Sequence, residues 1–173
     1  MANNKAQVSF VALNIAVVTV SDTRTEENDT SGGYLQKELV KAGHRLMEKH
    51  ICKDDVYRLR ALIANLIADS SIQAILVTGG TGFTRRDNTV VALKPLLDSS
   101  IDGFGELFRA LSYQEIGSST VQSRAFAGLS NDTAIFCMPG STGACKTAWE
   151  GIIAEQLNSL HKPCNFVGRL TDG

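Results

Sequence analysis

Two short apolar runs constrain the fold most strongly. Residues 11–20 (VALNIAVVTV) and 72–78 (IQAILVT) are rich in β-branched side chains and contain no charged residue. Strands of this composition are buried on both faces, which is typical of parallel sheets covered by helices. Each run is followed by a polar or glycine-rich loop and then by apolar residues at helical spacing. The alternation predicts an α/β fold, a three-layer α/β/α sandwich around a mostly parallel sheet.

The remaining segments fit this sandwich. Residues 44–52 alternate only in part, so we expect a strand near the edge of the sheet. Residues 125–138 are typical of a small antiparallel hairpin that turns at Asn131 and Asp132. The predicted helices are residues 34–42, 54–69, 89–97, 104–114 and 142–160, the last with a stripe of Trp149, Ile152, Ile153, Leu157 and Leu160.

Length and charge indicate one soluble domain. A chain of 173 residues with 43% apolar residues is expected to form a single core over about residues 11–160, with polar tails. The net charge of −1 gives no attraction to nucleic acid or to an anionic membrane. No cysteine or histidine spacing matches a metal template, so we expect no bound zinc or haem. With no signal-peptide core and no span-length apolar run, the protein is expected to be cytoplasmic.

Three loops are expected to meet at one edge of the sheet. They follow Val20, Val77 and Met138, each at the end of a predicted strand. In open α/β sheets, ligands bind beyond the carboxyl ends of the strands. The sequence therefore predicts a ligand site built from these loops.

The loop TGGTG, residues 78–82, is the first candidate for ligand contact. Glycines let the backbone approach an oxygen-rich ligand, and successive N–H groups can bind an anion. The alternative is a tight strand-to-helix turn that needs positive φ. The following Arg85, Arg86 and Asp87 favour a ligand, because they offer cations for phosphate and a carboxylate for Mg²⁺. The loop is not a dinucleotide fingerprint, since Arg85 stands where that pattern has Gly or Ala.

The loop MPGSTGACKT, from Met138, is the second candidate. Gly140, Lys146 and Thr147 match a phosphate-binding P-loop, but Cys145 replaces its second glycine. A β-carbon at that position would crowd the phosphate cradle. The helix N-terminus still offers free N–H groups to an anion. Alternatively, Ser141 and Thr142 serve only as helix caps.

Several motifs together resemble a known family. VVTVSDTR, TGGTGFTRRD, GFGELFR, the Ser123–Arg124 pair and MPGS occur in the order seen in the MoaB/MogA family of molybdenum-cofactor proteins. The resemblance covers residues 14–160, and the ending MPGSTGACKTAW is most similar to the bacterial MoaB branch. TGGTG followed by RRD is a specific signature of the family.

The resemblance implies a function and an assembly. Active members transfer AMP from Mg·ATP to the terminal phosphate of molybdopterin, and they form homotrimers or hexamers built from trimers. Matching positions make Asp54, Asp87 and Ser123 the catalytic candidates, with Asp54 and Asp87 as Mg²⁺ ligands. No residue can be assigned to read the base, which leaves ATP and GTP both open as nucleotide. The resemblance assigns molybdopterin or nucleotide binding to Ser21, Asp22, Thr78, Gly79, Gly80, Thr81, Gly82, Arg86, Arg124, Pro139, Gly140 and Ser141.

The chemistry of that reaction suggests how the residues divide the work. A phosphate monoester is already an anion, so charge neutralisation and in-line positioning matter more than a general base. Arg85, Arg86 and Arg124 are then candidate phosphate clamps, and Ser123 orients an oxygen. Structural alternatives remain open. Asp54 and Asp87 could each be a helix N-cap, and Arg85 and Arg86 could be a solvated pair or subunit-contact residues.

The sequence departs from the family pattern at two loops. Val90 stands where active members usually have a proline after the RD motif, and Thr142 stands where they have the second proline of LPGxP. A proline would stiffen either loop, so these changes bear on turnover. Three hypotheses for the function follow: a molybdopterin adenylyltransferase, a pterin- and nucleotide-binding protein with little turnover, or a purine-nucleoside triphosphatase acting through the GSTGACKT loop.

Overall fold

A computed structural model describes residues 9–171. Residues 1–8 of the predicted polar N-terminal tail lie outside the described range, as do residues 172–173. The strands are β1 (Asn14–Val20), β2 (Arg45–Cys52), β3 (Ala74–Thr78), β4 (Ser99–Ser100), β5 (Phe126–Ser130) and β6 (Thr133–Met138). The helices are α1 (Thr30–Lys41), α2 (Val56–Ala68), α3 (Thr89–Leu93), α4 (Asp102–Ile116), α5 (Thr142–Ala148), α6 (Ala154–Gln156) and α7 (Val167–Thr171).

The six strands form one mixed sheet in the order β2-β1-β3-β6-β5-β4. The first four of these are parallel to one another, while β5 and β4 run antiparallel to their neighbours. β2 lies at one edge, as the partial alternation of its sequence predicts. The β5–β6 hairpin turns through Asn131 and Asp132, which have φ values of 46° and 64°. The predicted α/β fold with a mostly parallel sheet and a small antiparallel hairpin is confirmed.

Helices cover both faces of the sheet because each presents an apolar stripe to it. On one face, α1 and α4 contribute Leu35, Leu39 and Phe108, which pack with Phe136 of β6. On the other face, α2 and α3 pack against the remaining side chains of β1, β3 and β6. The two cores together make the three layers. No helix within residues 9–171 has the length and apolarity needed to cross a membrane.

Several boundaries differ from those predicted. α1 begins four residues earlier, because Asp29 accepts a hydrogen bond from the Gly32 N–H at 2.9 Å and caps the helix. The last predicted helix is split by a π-helical turn over Trp149–Ile153 and ends before Leu160, which is 46% exposed and leaves the predicted stripe. Short β4 and the C-terminal α7 have no signal in the periodicity. Both are short pieces that form through contacts with the rest of the fold.

The apolar side chains of the β5–β6 hairpin pack inside the chain. β6 is buried at all six positions, and Phe126 and Ala127 are buried in β5. These side chains belong to the two cores that cover the sheet.

Candidate functional site

The carboxyl ends of three neighbouring strands position the site. Thr19 of β1 lies opposite Thr78 of β3, and Thr78 lies opposite Met138 of β6. The chain leaves β1 towards β2 and returns on the other side of β1 to form β3, which makes this point a topological switch. Ligands of open α/β sheets bind at such a point. The three loops that the sequence predicts to converge do meet here.

Between the loops lies a cleft with a volume of about 350 Å³. Its walls come from the loops after β1, β2, β3 and β6 and from the segment before α3. The lining residues are Thr19, Val20, Ser21, Asp22, Arg24, Ser31, Asp54, Thr78, Gly79, Gly80, Thr84, Arg86, Asp87 and Gly140.

Two glycines form the floor of the cleft. Gly79 and Gly80 have φ values of +106° and +66°, a backbone conformation that L side chains rarely adopt. A β-carbon on Gly80 would overlap the Thr89 hydroxyl and lie 2.8 Å from an Asp54 carboxylate oxygen. Gly140 packs directly on Gly79, so that the two loops touch through bare backbone. The positive φ values fit a tight turn, and the bare backbone also leaves room for a ligand to approach. The two interpretations of these glycines are therefore compatible.

Asp54 directs its carboxylate into the cleft and does not cap a helix. The N-cap of α2 is Asp55, which accepts hydrogen bonds from the N–H groups of Tyr57 and Arg58. One Asp54 oxygen accepts the Asn88 N–H at 2.9 Å, and the other faces Gly80. Burial, together with the neighbouring charges of Asp87 and Asp22, raises the pKa of Asp54 above its ordinary value.

Asp87 closes the loop after Gly82 and likewise caps no helix. Its carboxylate accepts the Thr84 N–H at 2.8 Å and lies against Gly82, while α3 begins after Asn88. Burial raises the pKa of Asp87, but the hydrogen bonds from Thr84 and Gly82 and the charge of Arg124 outweigh it and lower the pKa overall. Asp87 is thus an anion at neutral pH on the side of the cleft formed by this loop.

Arg124 braces the same loop. Its guanidinium donates to the carbonyl oxygens of Thr81, Gly82 and Asp87, the last at 2.9 Å. Its backbone N–H also donates to Thr81 at 3.1 Å. A guanidinium has five N–H donors in a fixed plane. With several of them used on the backbone, Arg124 fixes the shape of the glycine loop before any phosphate arrives.

Arg86 pairs with Asp22 across the mouth of the cleft. Through this pair, Arg86 lowers the pKa of the Asp22 carboxyl. The other oxygen of Asp22 accepts the Asp54 N–H at 3.3 Å, which ties the loop after β1 to the loop after β2. Ser21 accepts from the N–H groups of Thr23 and Arg24 and shapes its own turn. Arg85 is exposed and does not line the cleft.

Ser123 lies outside the cleft. It lines a neighbouring groove of about 670 Å³ between α4, β5 and the segment after α3, together with Arg124, Arg109 and Lys94. Its hydroxyl accepts the Ala125 N–H at 3.3 Å. Of the three catalytic candidates, the structure therefore brings Asp54 and Asp87 to one cleft and places Ser123 beyond Arg124.

The loop after β6 packs against the glycine floor of the cleft and leads into α5. The Thr78 hydroxyl donates to the Pro139 carbonyl at 3.0 Å and contacts the Cys145 sulfur at 3.1 Å. Cys145 is fully buried, and burial raises the pKa of its thiol to about 11. Ser141 caps α5 by accepting the Ala144 N–H.

The P-loop reading does not fit this geometry. Lys146 lines a different groove with Gln114, Glu115 and Glu150, away from the cleft that Gly140 lines. Cys145, which stands at the second glycine position of the P-loop pattern, is buried in the core and contacts the Thr78 hydroxyl.

A charged network behind the cleft escaped the sequence analysis. Asp29 accepts from the Thr19 hydroxyl at 2.9 Å and pairs with Lys49 at 3.1 Å, and its side chain is fully buried. Burial raises the pKa of Asp29, but hydrogen bonds from Gly32, Thr19 and Lys49 outweigh it and lower the pKa overall. The pattern DTSGG before a helix is a capping signal that could have shown this role. Arg24, which also lines the cleft, stands in the VVTVSDTR motif, whereas Ser31 carries no comparable signal.

The cleft fits a divalent cation only in part. Within residues 9–171, no group of three or more His, Cys, Asp or Glu side chains could hold a metal ion. Asp54 and Asp87 offer two carboxylates, and Mg²⁺ in phosphate-binding sites uses one or two carboxylates with phosphate oxygens and water. These residues fit Mg²⁺ that arrives with a phosphate ligand rather than a resident metal.

Comparison with known proteins agrees with the motifs and the fold. Residues 16–159 match the family described as "Probable molybdopterin binding domain". The chain is 51% identical over 163 residues to molybdenum cofactor biosynthesis protein B of Escherichia coli K12, covering 94% of this chain and 96% of that protein.

Solved structures give the same result. A crystal structure of a molybdenum cofactor biosynthesis protein B superposes with a TM-score of 0.82 at 42% identity, over 85% of this chain and 92% of that one. The tungsten cofactor synthesizing protein MoaB from Pyrococcus furiosus superposes with a TM-score of 0.73 at 39% identity, over 82% and 90%. On sequence, motif order and fold alike, the chain belongs to the MoaB/MogA family of molybdenum cofactor biosynthesis proteins.

Proposed function

We propose that the cleft binds the phosphate of molybdopterin beside a Mg·nucleotide, and that the protein transfers AMP from ATP to that phosphate. The observation that carries the proposal is the pair of carboxylates, Asp54 and Asp87, held on either side of the Gly79–Gly80 floor. The relatives' names and the matched domain support the pterin as ligand.

The proposed reaction is a displacement at phosphorus. A terminal phosphate oxygen of molybdopterin attacks the α-phosphorus of ATP, the bond from that phosphorus to the bridging oxygen breaks, and pyrophosphate leaves. The attacking oxygen is already anionic, so no side chain has to remove a proton. Bound Mg²⁺ supplies charge neutralisation on the phosphates. GTP is an alternative nucleotide, since no base-reading residue is defined.

The residues of the chain have distinct parts in this proposal. Asp54 and Asp87 would hold Mg²⁺, directly or through water. The N–H groups of the loop after Thr78 and of the MPGS turn would donate to phosphate oxygens. Arg86 would act as a phosphate clamp after exchanging Asp22 for the ligand, whereas Arg124 would position the loop. Ser123 would contact the part of the ligand that extends past Arg124 into the neighbouring groove.

Binding measurements with matched variants test the site. Isothermal titration of Mg·ATP should show affinity at least about tenfold weaker for Asp54→Asn, because one charged metal ligand is lost. Asp55→Asn is the matched control, since asparagine still caps α2 and the residue points away from the cleft. Equal affinity in wild type and Asp54→Asn would contradict the assignment. Under the triphosphatase alternative, Lys146→Ala would weaken binding instead.

Assembly and location belong to the same proposal. We infer a homotrimer, or a hexamer built from two trimers, in the cytoplasm. In support, α4 and the turn after it expose four large apolar side chains, Leu107, Tyr113, Ile116 and Val121. Sedimentation equilibrium should give about three or six chain masses. A single chain mass at micromolar concentration would contradict the inference.

A further inference from the structure

Phe83 is the exposed aromatic residue at the tip of the glycine loop. It lies between Gly82 and Thr84 in the sequence, and the residue is 63% exposed. Thr84 lines the cleft, so the ring is attached one residue from the proposed phosphate site. A phenyl ring left open to water gives up the hydrophobic stabilisation that burial would provide. Packing of the fold therefore does not account for a phenylalanine at this position.

The ring is nevertheless held in place. The Arg124 guanidinium lies over it, with its central carbon 4.7 Å from the ring centroid. Arg124 is itself fixed by hydrogen bonds to the carbonyl oxygens of Thr81, Gly82 and Asp87. One face of Phe83 is thus covered by a rigid cation. The exposed area that remains is a flat apolar surface.

We propose that Phe83 is a stacking platform for the planar heteroaromatic ring of a ligand whose phosphates lie in the cleft; this rests on the proposed function. A preorganised aromatic face binds a ring with little loss of side-chain entropy, because its own rotamer is already restricted. Offset stacking is the preferred arrangement for such rings. The ring partner is either the pterin of molybdopterin or the purine of the nucleotide, which share this chemistry.

Substitutions at Phe83 separate stacking from simple hydrophobic contact. Phe83→Leu keeps an apolar side chain but removes the ring, and Phe83→Trp keeps a ring. We expect Phe83→Leu to weaken the binding of one ring-bearing ligand about five- to 150-fold, the range found when a stacking side chain is removed. Phe83→Trp should bind as wild type does. Binding of inorganic tripolyphosphate, which has no ring, should not change in either variant.

Titrations of molybdopterin and of Mg·ATP identify the ring. A loss confined to molybdopterin assigns the pterin to Phe83, and a loss confined to ATP assigns the purine. The control is Tyr57→Leu, since Tyr57 of α2 is 76% exposed and has the Arg60 guanidinium carbon 5.7 Å from its ring centroid, but does not belong to the glycine loop. Unchanged affinity of Phe83→Leu for both ligands overturns the inference while leaving the proposed function intact. Failure of the wild type to bind either ligand overturns both.

Fluorescence gives a second measurement, which would not respond to the ligand if Phe83 had only a structural role. The single native tryptophan, Trp149, is 3% exposed and provides a constant background. In Phe83→Trp, the stacking ligand should quench the added indole, and in Tyr57→Trp it should not. Equal quenching in the two variants would overturn the inference.

Discussion

At the scale of single residues, neighbouring aspartates have different roles that their order in the sequence does not reveal. Asp54 faces the cleft, whereas Asp55 caps α2. Asp29 is a third case, buried behind the cleft with Lys49 and Thr19 as partners. The family resemblance could identify Asp54 and Asp87 by matching position, and Asp87 also stands in the RRD motif. Asp29 could not be identified in that way, since its ion pair joins a loop to a strand 20 positions away.

The charge of Asp29 should stabilise the fold in a pH-dependent way. Because the pKa of Asp29 is lowered in the folded protein, its contribution is complete above the unfolded value near 3.8 and is lost as pH falls further. Asp29→Asn should therefore lower the free energy of unfolding by about 2 kcal/mol at pH 7, and by less at pH 3. Urea unfolding at both pH values measures this. Asp132→Asn, in the exposed ion pair with Arg169, is the control, and an equal loss from Asp29→Asn at both pH values would contradict the account.

At the scale of elements, the strands of the sheet other than β4 and the longer covering helices were predictable, while their ends were not. The apolar runs of β1 and β3 give a strong signal because both faces are buried. The start of α1 depends on the cap made by Asp29, and the π-helical turn at Trp149–Ile153 depends on packing against α4, where Leu111 approaches Gly151. Such features come from tertiary contacts that periodicity does not record.

The glycine loop should tolerate no side chain at Gly80. Gly80→Ala requires a strained positive φ and would push its β-carbon into Thr89 and Asp54, so the free energy of unfolding should fall by about 2–3 kcal/mol. Affinity for Mg·ATP should fall with it. Gly103→Ala in α4 is the matched control, because a β-carbon there meets nothing within 4 Å and should raise stability by about 0.5–1 kcal/mol. Thermal and urea unfolding would contradict this if both variants behaved alike.

At the scale of the whole molecule, the core extends past the segment that sequence periodicity marks. Val167 and Leu170 of α7 are buried with the α1 and α4 side of the core, and Phe166 packs edge-to-face on Phe136 with ring centroids 6.5 Å apart. The sequence predicts a polar tail after residue 160, because a helix of five residues is too short to show an apolar stripe. The C-terminal segment folds back, and α7 covers part of the core that the longer helices do not cover.

Leu170 should therefore contribute to global stability. Leu170→Ala is expected to lower the free energy of unfolding by about 2–3 kcal/mol, as large-to-small changes in cores do. Leu160→Ala, at a side chain that is 46% exposed, should cost less than about 1 kcal/mol. Urea unfolding of the two variants side by side provides the measurement. Equal losses would show that α7 is not part of the core.

The most direct test of the central claim is a single-turnover assay with molybdopterin and Mg·ATP. The account predicts pyrophosphate and adenylylated pterin from the wild type and from Asp55→Asn, and no product from Asp87→Asn. Tight binding of molybdopterin without product from the wild type would contradict adenylyl transfer and leave a binding protein. In that case the first change to test would be to restore the family's prolines in the loops that contain Val90 and Thr142.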